Sequence, residues 1–213
     1  MTALLILLGP LPSILLPFSI TLGADLSTPL TFQCSRQVPE CQCHHLEADC
    51  SGLNLQYFPD VEDNINRLIF ADNNLSVTLD EEPIRGHDSI VYLDLSRNHI
   101  QHLRNGTFKH LWRLRILILS DNNLTTLTEG AFHGLHNLRT LHLNGNQIGS
   151  LSSVAFYGLG ALPTLDLSHQ RLSYVSPRAF VGLRNLTTLT LSHNLLKVLD
   201  DAVFTGLRSL KML

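Results

Sequence analysis

Apolar and polar positions along this chain repeat with a period of 24 residues. Five copies align without gaps from Ile90, and their common pattern is L-x-x-L-x-L-x-x-N-x-L-x-x-L-x-x-x-x-F-x-x-L-x-x. The L-x-L portion alternates with a period of two, which predicts a short strand with one buried face. A degenerate copy of 25 residues starts at Ile65. Because one unit cannot bury its apolar face alone, we expect the units to stack. The predicted repeats are 65–89, 90–113, 114–137, 138–161, 162–185 and 186–209, and 210–213 begin a further, truncated repeat.

Two residue types recur at fixed positions in this pattern. An asparagine at position 9 marks the place where the chain turns away from the strand, and an inward amide there can satisfy backbone groups of neighbouring turns. A phenylalanine at position 19 is predicted to fill the far side of the core. Gln170 takes the asparagine position in one repeat, and its extra methylene is expected to shift the turn or leave the amide imperfectly paired. The two columns are Asn73, Asn98, Asn122, Asn146 and Asn194, and Phe108, Phe132, Phe156, Phe180 and Phe204.

The start of the chain predicts export from the cell. It is apolar from Ala3 to Leu22 and carries no charged side chain before Asp25. Three prolines in this stretch argue against an uninterrupted helix. We therefore predict a cleaved signal peptide over residues 1–23, with a signal anchor as the alternative. Four N-x-[S/T] sequons agree with export and predict glycosylation at Asn74, Asn105, Asn123 and Asn185.

The stretch "CSRQVPECQCHHLEADC" holds all four cysteines of the chain. In an exported protein, closely spaced cysteines in even number are typical of a disulfide framework. The spacing alone leaves three pairings open. A zinc site built from Cys41, Cys43 and a neighbouring histidine is the alternative, although zinc sites more often use C-x2-4-C pairs.

Together, the repeats and the cysteine stretch resemble the extracellular leucine-rich repeat proteins of the 24-residue class. The resemblance implies an α/β leucine-rich repeat solenoid. Such a solenoid is curved, with a parallel β-sheet on its concave face, an irregular or short helical convex side, and a disulfide-bonded N-terminal cap, here residues 34–64. In similar caps the first cysteine bonds the third and the second bonds the fourth, which implies Cys34–Cys43 and Cys41–Cys50.

The segment "CQCHHLEADCSGLNLQYFPDVEDNINRL" is also similar to the cap and first repeat of leucine-rich-repeat G-protein-coupled receptors, the relaxin-type receptors especially. Those receptors also carry an N-terminal low-density-lipoprotein class A module, whose six cysteines are not in this sequence. Their hormone contact uses acidic concave residues. In this chain that role could fall only to Asp72, Asp94, Asp121 and Asp166.

The strand period also locates a candidate binding surface. Positions 3, 5 and 7 of each repeat alternate with buried leucines, so they are predicted to point out of the sheet, on what we call the sheet face. Four apolar residues there, Ile69, Tyr92, Ile116 and Ile118, form what we call the N-terminal patch. Apolar side chains ringed by charge have the composition of an interface, although isoleucine also simply favours strands. The predicted ligand-binding residues are Arg67, Ile69, Tyr92, Asp94, Arg97, Ile116, Ile118, Asp121, His142 and Asp166.

The remaining sequence features favour binding over catalysis. A net charge of −3 without a Lys/Arg run argues against a nucleic-acid partner. No Ser-His-Asp or Cys-His arrangement and no phosphate-binding glycine loop can be placed, so we predict no enzyme activity, no cofactor and no bound metal. The histidine pairs His99 and His102, and His133 and His136, have i, i+3 spacing and are expected on the surface.

We therefore expect a secreted or cell-surface protein that binds a protein ligand on the concave face, as part of a receptor or adhesion ectodomain. A secreted extracellular-matrix leucine-rich repeat protein is the alternative. The apolar edge formed by Leu207, Leu210 and Leu213 predicts further repeats beyond the given sequence. Attachment to a membrane is expected only through such a C-terminal part.

Overall fold

The computed structural model describes residues 41–75, 77–79 and 86–213, with the backbone alone for 77–79. The predicted signal peptide, Cys34 and the first residues of the cap lie outside this range. The described chain forms 13 short strands. They are β1 (Gln42–His44), β2 (Glu47–Asp49), β3 (Arg67–Ile69), β4 (Val77–Leu79), β5 (Tyr92–Asp94), β6 (Ile100–Leu103), β7 (Ile116–Ile118), β8 (Thr126–Leu127), β9 (Thr140–His142), β10 (Ser150–Leu151), β11 (Thr164–Asp166), β12 (Tyr174–Val175) and β13 (Thr188–Thr190).

The strands at positions 3 to 5 of successive repeats form the parallel sheet that the period predicts. Strands β1, β2, β3, β5, β7 and β9 are hydrogen-bonded in that order, and β11 pairs with β13. Corresponding positions pair throughout, so that Leu68, Leu93, Leu117 and Leu141 share one row. These leucines are at most 6% exposed, while their strand neighbours are half-buried or exposed. The leucine-rich repeat solenoid and its parallel sheet are therefore confirmed.

The far side of each repeat is built from shorter elements. The strands β8, β10 and β12 form a small parallel sheet, and β4 pairs with β6. A short 3-10 helix follows at Asp201–Phe204, and the Asp200 carboxylate caps it by accepting a hydrogen bond of 2.8 Å from the Ala202 N–H. Between the two sides, Phe108, Phe132, Phe156 and Phe180 are completely buried. Their rings stack at centroid distances of 5.8–6.3 Å, so the phenylalanine column forms a continuous spine.

The asparagine column links each turn to its neighbour. The Asn122 amide donates to the Leu95 carbonyl at 2.9 Å, and its Oδ1 accepts from the N–H groups of Asn98 and Ile100 at 3.1 and 3.0 Å. Each buried turn thereby satisfies polar groups of the preceding repeat. Among the buried side-chain atoms of the described residues, Asn98 Oδ1 has no hydrogen-bond partner.

Gln170 is paired at both ends of its amide. It donates to the Leu143 carbonyl at 3.1 Å and accepts from the Ile148 N–H at 3.2 Å. The equivalent asparagine donor bonds to the repeat before are 2.7–2.9 Å. The expected imperfect pairing of the amide is therefore present only as slightly longer bonds, and the longer side chain does not lose its partners.

The described part of the cysteine stretch, from Cys41 to Cys50, forms a disulfide-bonded hairpin at the start of the sheet. Strands β1 and β2 pair as an antiparallel hairpin, and β2 then pairs in parallel with β3. Cys41 and Cys50 are joined by a disulfide with an S–S distance of 2.03 Å, which confirms this pairing. Cys43 is disulfide-bonded as well, so neither cysteine of the zinc alternative is a free thiol. The predicted partner, Cys34, lies outside the described residues.

On the sheet face, one junction in the stack lacks the backbone ladder. Within the described residues no strand pairing joins β9 to β11. At position 2 of the other repeats an N–H donates across the junction, as Arg139 does to the Arg115 carbonyl at 2.9 Å. Position 2 of the repeat from Leu162 is Pro163, which has no N–H to donate. Backbone contacts at this junction lie on the far side instead, where β10 pairs with β12 and the Arg171 N–H donates to the Ile148 carbonyl at 3.1 Å.

Candidate functional site on the sheet face

The parallel register brings most of the predicted binding residues onto one continuous surface. Strands β3, β5, β7 and β9 lie side by side at a spacing of about 4.8 Å, so the surface is roughly 14 Å wide. The position-3 row is Arg67, Tyr92, Ile116 and Thr140, and the position-5 row is Ile69, Asp94, Ile118 and His142. Asp166 lies on β11, beyond the junction without a ladder, and is not part of this sheet.

Arg67 joins the cap to the N-terminal patch. Its Nε lies 2.6 Å from a Glu47 carboxylate oxygen on β2, and its Cζ lies 3.5 Å from the centroid of the Tyr92 ring. Both charged side chains are partly exposed, so the ion pair itself contributes only about 0–1 kcal/mol. The cation over the ring adds a second restraint. The main effect of these contacts is to hold the Tyr92 ring in place at the surface.

Asp94 and His142 flank Ile118 in the position-5 row. The Asp94 Oδ1 accepts hydrogen bonds from the Ser96 N–H at 2.9 Å and from its hydroxyl at 2.7 Å. In the described part of the chain the carboxylate is thus held through one oxygen, which leaves Oδ2 to a donor from outside. An apolar side chain between an oriented acceptor and an exposed imidazole offers both burial and directional hydrogen bonds.

Position 7 differs from the expectation in the N-terminal half. Ala71, Ser96 and Ser120 are only 6–8% exposed, so they do not point into solvent. The chain has already begun its turn at this position, and the strand alternation does not continue. The Ser96 hydroxyl bonds Asp94, and the Ser120 hydroxyl bonds the Asn144 side chain at 2.8 Å. Positions 3 and 5 therefore make up the accessible surface here.

Position 8 is a column of left-handed residues along one edge of the sheet face. Asp72, Arg97, Asp121, His169 and His193 have φ between 51° and 57°, which costs a side-chain-bearing residue some strain. All five are exposed. The predicted binding residues Arg97 and Asp121 therefore border the strand rows rather than lie among them. Arg97 Nε is 4.0 Å from the Asp72 carboxylate, so positive charge at this edge is also partnered.

The C-terminal half of the face contains a histidine pair that the sequence did not predict. The rings of His169 and His193 stack at a centroid distance of 4.3 Å and an interplanar angle of 9°. Their common position in adjacent repeats was the available signal. Asp166 is nearby in sequence and accepts a hydrogen bond from the Ser168 N–H at 2.8 Å.

The remaining histidines and acids do not assemble into a metal site in the described residues, where no group of three or more His, Cys, Asp or Glu side chains could hold an ion. His99, His102, His133 and His136 are exposed, as expected. Buried His87 packs its ring 5.6 Å from Phe58. Burial lowers the pKa of His87 below its usual value of 6.5, against the opposing influence of Asp60, Asp63 and Asp88.

The sequon asparagines lie apart from the position-3 and position-5 rows. Asn105, Asn123 and Asn185 are exposed, and Asn74 is half-buried. Ser76, the third residue of the first sequon, lies outside the described range. Within the described residues, no helix has both the length and the apolar character needed to cross a membrane.

Comparison with known sequences identifies two matching families. Residues 88–148 and 137–196 match the family described as leucine rich repeat. Residues 39–62 match the leucine rich repeat N-terminal domain. A curated relative, the G-protein coupled receptor GRL101 of Lymnaea stagnalis, is 35% identical over 75 residues. That alignment covers 34% of this chain and 7% of the receptor.

Among solved structures, the chain is similar to the receptor in the crystal structure of a TLR13–ssRNA13 complex. The TM-score is 0.57 and the sequence identity is 28%. The similarity covers 78% of this chain and 27% of that chain. This chain thus spans only a small part of both relatives.

Proposed function

Because the chain belongs to the leucine-rich repeat family, we propose that it is a non-enzymatic extracellular module that binds a protein ligand on its sheet face. The module is part of a cell-surface receptor or adhesion ectodomain. The partial similarity to GRL101 and to a Toll-like receptor supports a receptor role over a matrix role. The N-terminal cap family and the cap disulfide support an extracellular location.

The observation that carries this proposal is the make-up of the N-terminal patch. Tyr92 and Ile116 are direct neighbours in one row, and Ile118 lies on the same strand as Ile116. Oriented polar groups surround them, among them Asp94. Aromatic and apolar anchors within a polar rim are the arrangement in which a few residues supply most of the energy of a protein interface.

The charges of this surface favour a protein ligand over an RNA ligand, although the similar Toll-like receptor structure contains RNA. Arg67 is paired with Glu47, and Arg97 lies beside Asp72. A phosphate backbone is held by cations whose charge is not already neutralised. The net charge of −3 acts in the same direction. A glycan at Asn105, Asn123 or Asn185 would leave the patch open, since none of these residues lies in the two rows.

The test begins with a panel of secreted and single-pass membrane proteins displayed on cells, probed with the purified secreted chain on beads. For a partner found in this way, the double variant Tyr92→Ala with Ile118→Ala should weaken binding by about 2 kcal/mol or more, or roughly 30-fold in Kd. Surface plasmon resonance measures the change. A single-stranded RNA oligonucleotide added as competitor should leave the partner bound.

The matched control is Thr164→Ala with Thr188→Ala, which truncates position 3 in the polar half of the face. This double variant should change Kd less than about threefold, and both double variants should be secreted normally. Unchanged affinity in the Tyr92 and Ile118 variant, or a larger loss in the threonine variant, would remove the N-terminal patch as the interface. Displacement of the partner by the RNA would argue for a nucleic-acid ligand instead.

A further inference from the structure

Positions 19 to 24 of each repeat form what we call the turn side of the solenoid. Along it, the side chains at position 23 of successive repeats form a row that is interrupted once. Position 23 holds an aromatic or cationic residue in four of the five gapless repeats. The row is Trp112, His136, Gly160, Arg184 and Arg208. A cavity of about 200 Å³ opens at the glycine, and its lining residues are His136, Tyr157, Gly158, Gly160, Gly182 and Arg184.

The floor of this cavity is backbone that the fold keeps free of side chains. Gly158 and Gly182 have φ of 107° and 109°, and a Cβ on Gly158 would lie 2.7 Å from the Phe132 carbonyl oxygen. Glycine is required at both places. Gly160 is different, because its φ is not left-handed and a Cβ there would only meet the Gly182 oxygen at 3.7 Å. The backbone therefore tolerates a side chain at Gly160, and its absence opens the cavity.

The walls come from the repeats on either side and are rich in hydrogen-bond donors. The Tyr157 side chain is 50% exposed, and its ring lies 6.1 Å from that of His133. The His133 ring in turn lies 6.5 Å from that of His136, so the three rings restrain one another. Exposed Arg184 lines the cavity from the repeat that begins at Leu162, and its side chain carries a guanidinium. None of the six lining residues is acidic.

We propose that this cavity binds the carboxylate-bearing ring of an acidic sugar. A guanidinium recognises a carboxylate through paired N–H donors, and here Arg184 supplies it. The exposed phenol ring of Tyr157 offers a flat apolar surface to the sugar ring, and its hydroxyl is a further donor. The cavity is smaller than the roughly 300–1,000 Å³ of sites for drug-sized ligands, which limits the occupant to a single ring.

Two sources supply this chemistry, namely the uronic acids of matrix polysaccharides and the sialic acids at glycan ends. The test uses one probe for each, a glucuronate-containing disaccharide and sialyllactose, with lactose as the neutral control. The secreted chain is deglycosylated first, so that its own glycans do not compete. Saturation-transfer NMR detects binding, and titration gives Kd. At least one acidic probe should bind, and lactose should not.

Three variants connect binding to the cavity. Gly160→Leu fills the space, and Arg184→Gln removes the cation, so each should raise the Kd for the acidic probe at least tenfold. Arg208→Gln is the matched control, because Arg208 has the same position in the next repeat and does not line the cavity. It should change Kd less than twofold. The proposal is overturned if neither acidic probe binds, if lactose binds equally well, if Gly160→Leu retains affinity, or if Arg208→Gln is as damaging as Arg184→Gln.

This site is separate from the protein-binding surface of the sheet face. The variant Tyr92→Ala with Ile118→Ala should leave sugar binding unchanged. Gly160→Leu should in turn leave partner binding unchanged. The two proposals therefore fail or survive independently.

Discussion

The asparagine column predicts an order of stability losses that can be worked out from its hydrogen bonds. The Asn122 Oδ1 accepts from two backbone N–H groups, those of Asn98 and Ile100. Asn146 Oδ1 accepts from one, that of Leu124 at 3.0 Å. Asn98 Oδ1 accepts from none in the described structure. Truncation to alanine should therefore leave two buried N–H donors without an acceptor in Asn122→Ala, one in Asn146→Ala and none in Asn98→Ala.

The magnitudes follow from the cost of an unsatisfied buried group. At about 1–3 kcal/mol per orphaned donor, Asn122→Ala should lower the free energy of unfolding by about 2–6 kcal/mol, more than Asn146→Ala and far more than Asn98→Ala. Each variant also loses the N–H donors of the asparagine side chain, which leaves backbone carbonyls under-satisfied. Because such carbonyls are better tolerated, this loss lowers the free energy of unfolding by a smaller amount that is common to the three variants. Asn122→Gln should cost less than Asn122→Ala, since Gln170 makes the same two connections in its own repeat.

Urea unfolding of the secreted, disulfide-intact protein, followed by circular dichroism, gives the order. Stacked repeats can unfold in parts, so hydrogen exchange of the peptide that contains Ile100 provides a local measure. Its amide should exchange faster in Asn122→Ala and remain protected in Asn146→Ala. If Asn98→Ala is as destabilising as Asn122→Ala, or if glutamine at 122 is no better than alanine, the hydrogen bonds of this column do not determine its contribution.

Two further predictions concern the cap region and the turn side. The depressed pKa of buried His87 means that its stability contribution is complete above pH 6.5 and is lost as the pH falls through the lower folded-state value. Between pH 7 and pH 5 the unfolding temperature should thus fall more in the wild type than in His87→Phe, and parallel curves would exclude this residue as the cause. Gly134→Ala should destabilise by about 1–3 kcal/mol or more, because φ is 98° and the new Cβ would lie 2.5 Å from the Lys109 Cα. Gly149→Ala, where the nearest atoms are 3.8 Å away, should be nearly neutral in the same melt, and equal losses would contradict the steric argument.

The strand rows of the proposed binding face could be predicted from the sequence because they depend on one rule. Side chains alternate along a strand, and the 24-residue period aligns equivalent positions of neighbouring strands. Arg67, Tyr92 and Ile116 therefore came into one row without any knowledge of side-chain contacts. This alternation of side chains does not continue past the end of the strand. Ser96 and Ser120 are buried because the turn begins there, which leucine spacing does not reveal.

Contacts that depend on side-chain rotamers could not be predicted from the sequence. The stacking of His169 on His193 and the position of Arg67 over Tyr92 require side-chain directions as well as positions. The cavity at Gly160 is an intermediate case. The glycine in the position-23 row was visible in the repeats. Only its φ and the distances to its neighbouring atoms show that the glycine leaves a space and that the backbone conformation does not require glycine there.

The interruption of the sheet ladder at Pro163 leaves the step between β9 and β11 without strand pairing, so the sheet face divides there into two blocks, which the pairing of β10 with β12 joins on the far side. Repeats interact only with their neighbours, so an unfolding front advances one junction at a time and stops at the weakest coupling. The N-terminal patch lies on β3, β5 and β7, in the block that includes the cap, and the histidine pair lies in the other block. The cavity takes His136 from one block and Arg184 from the other. A sugar bound there would add a contact across the junction and strengthen the coupling between the two blocks.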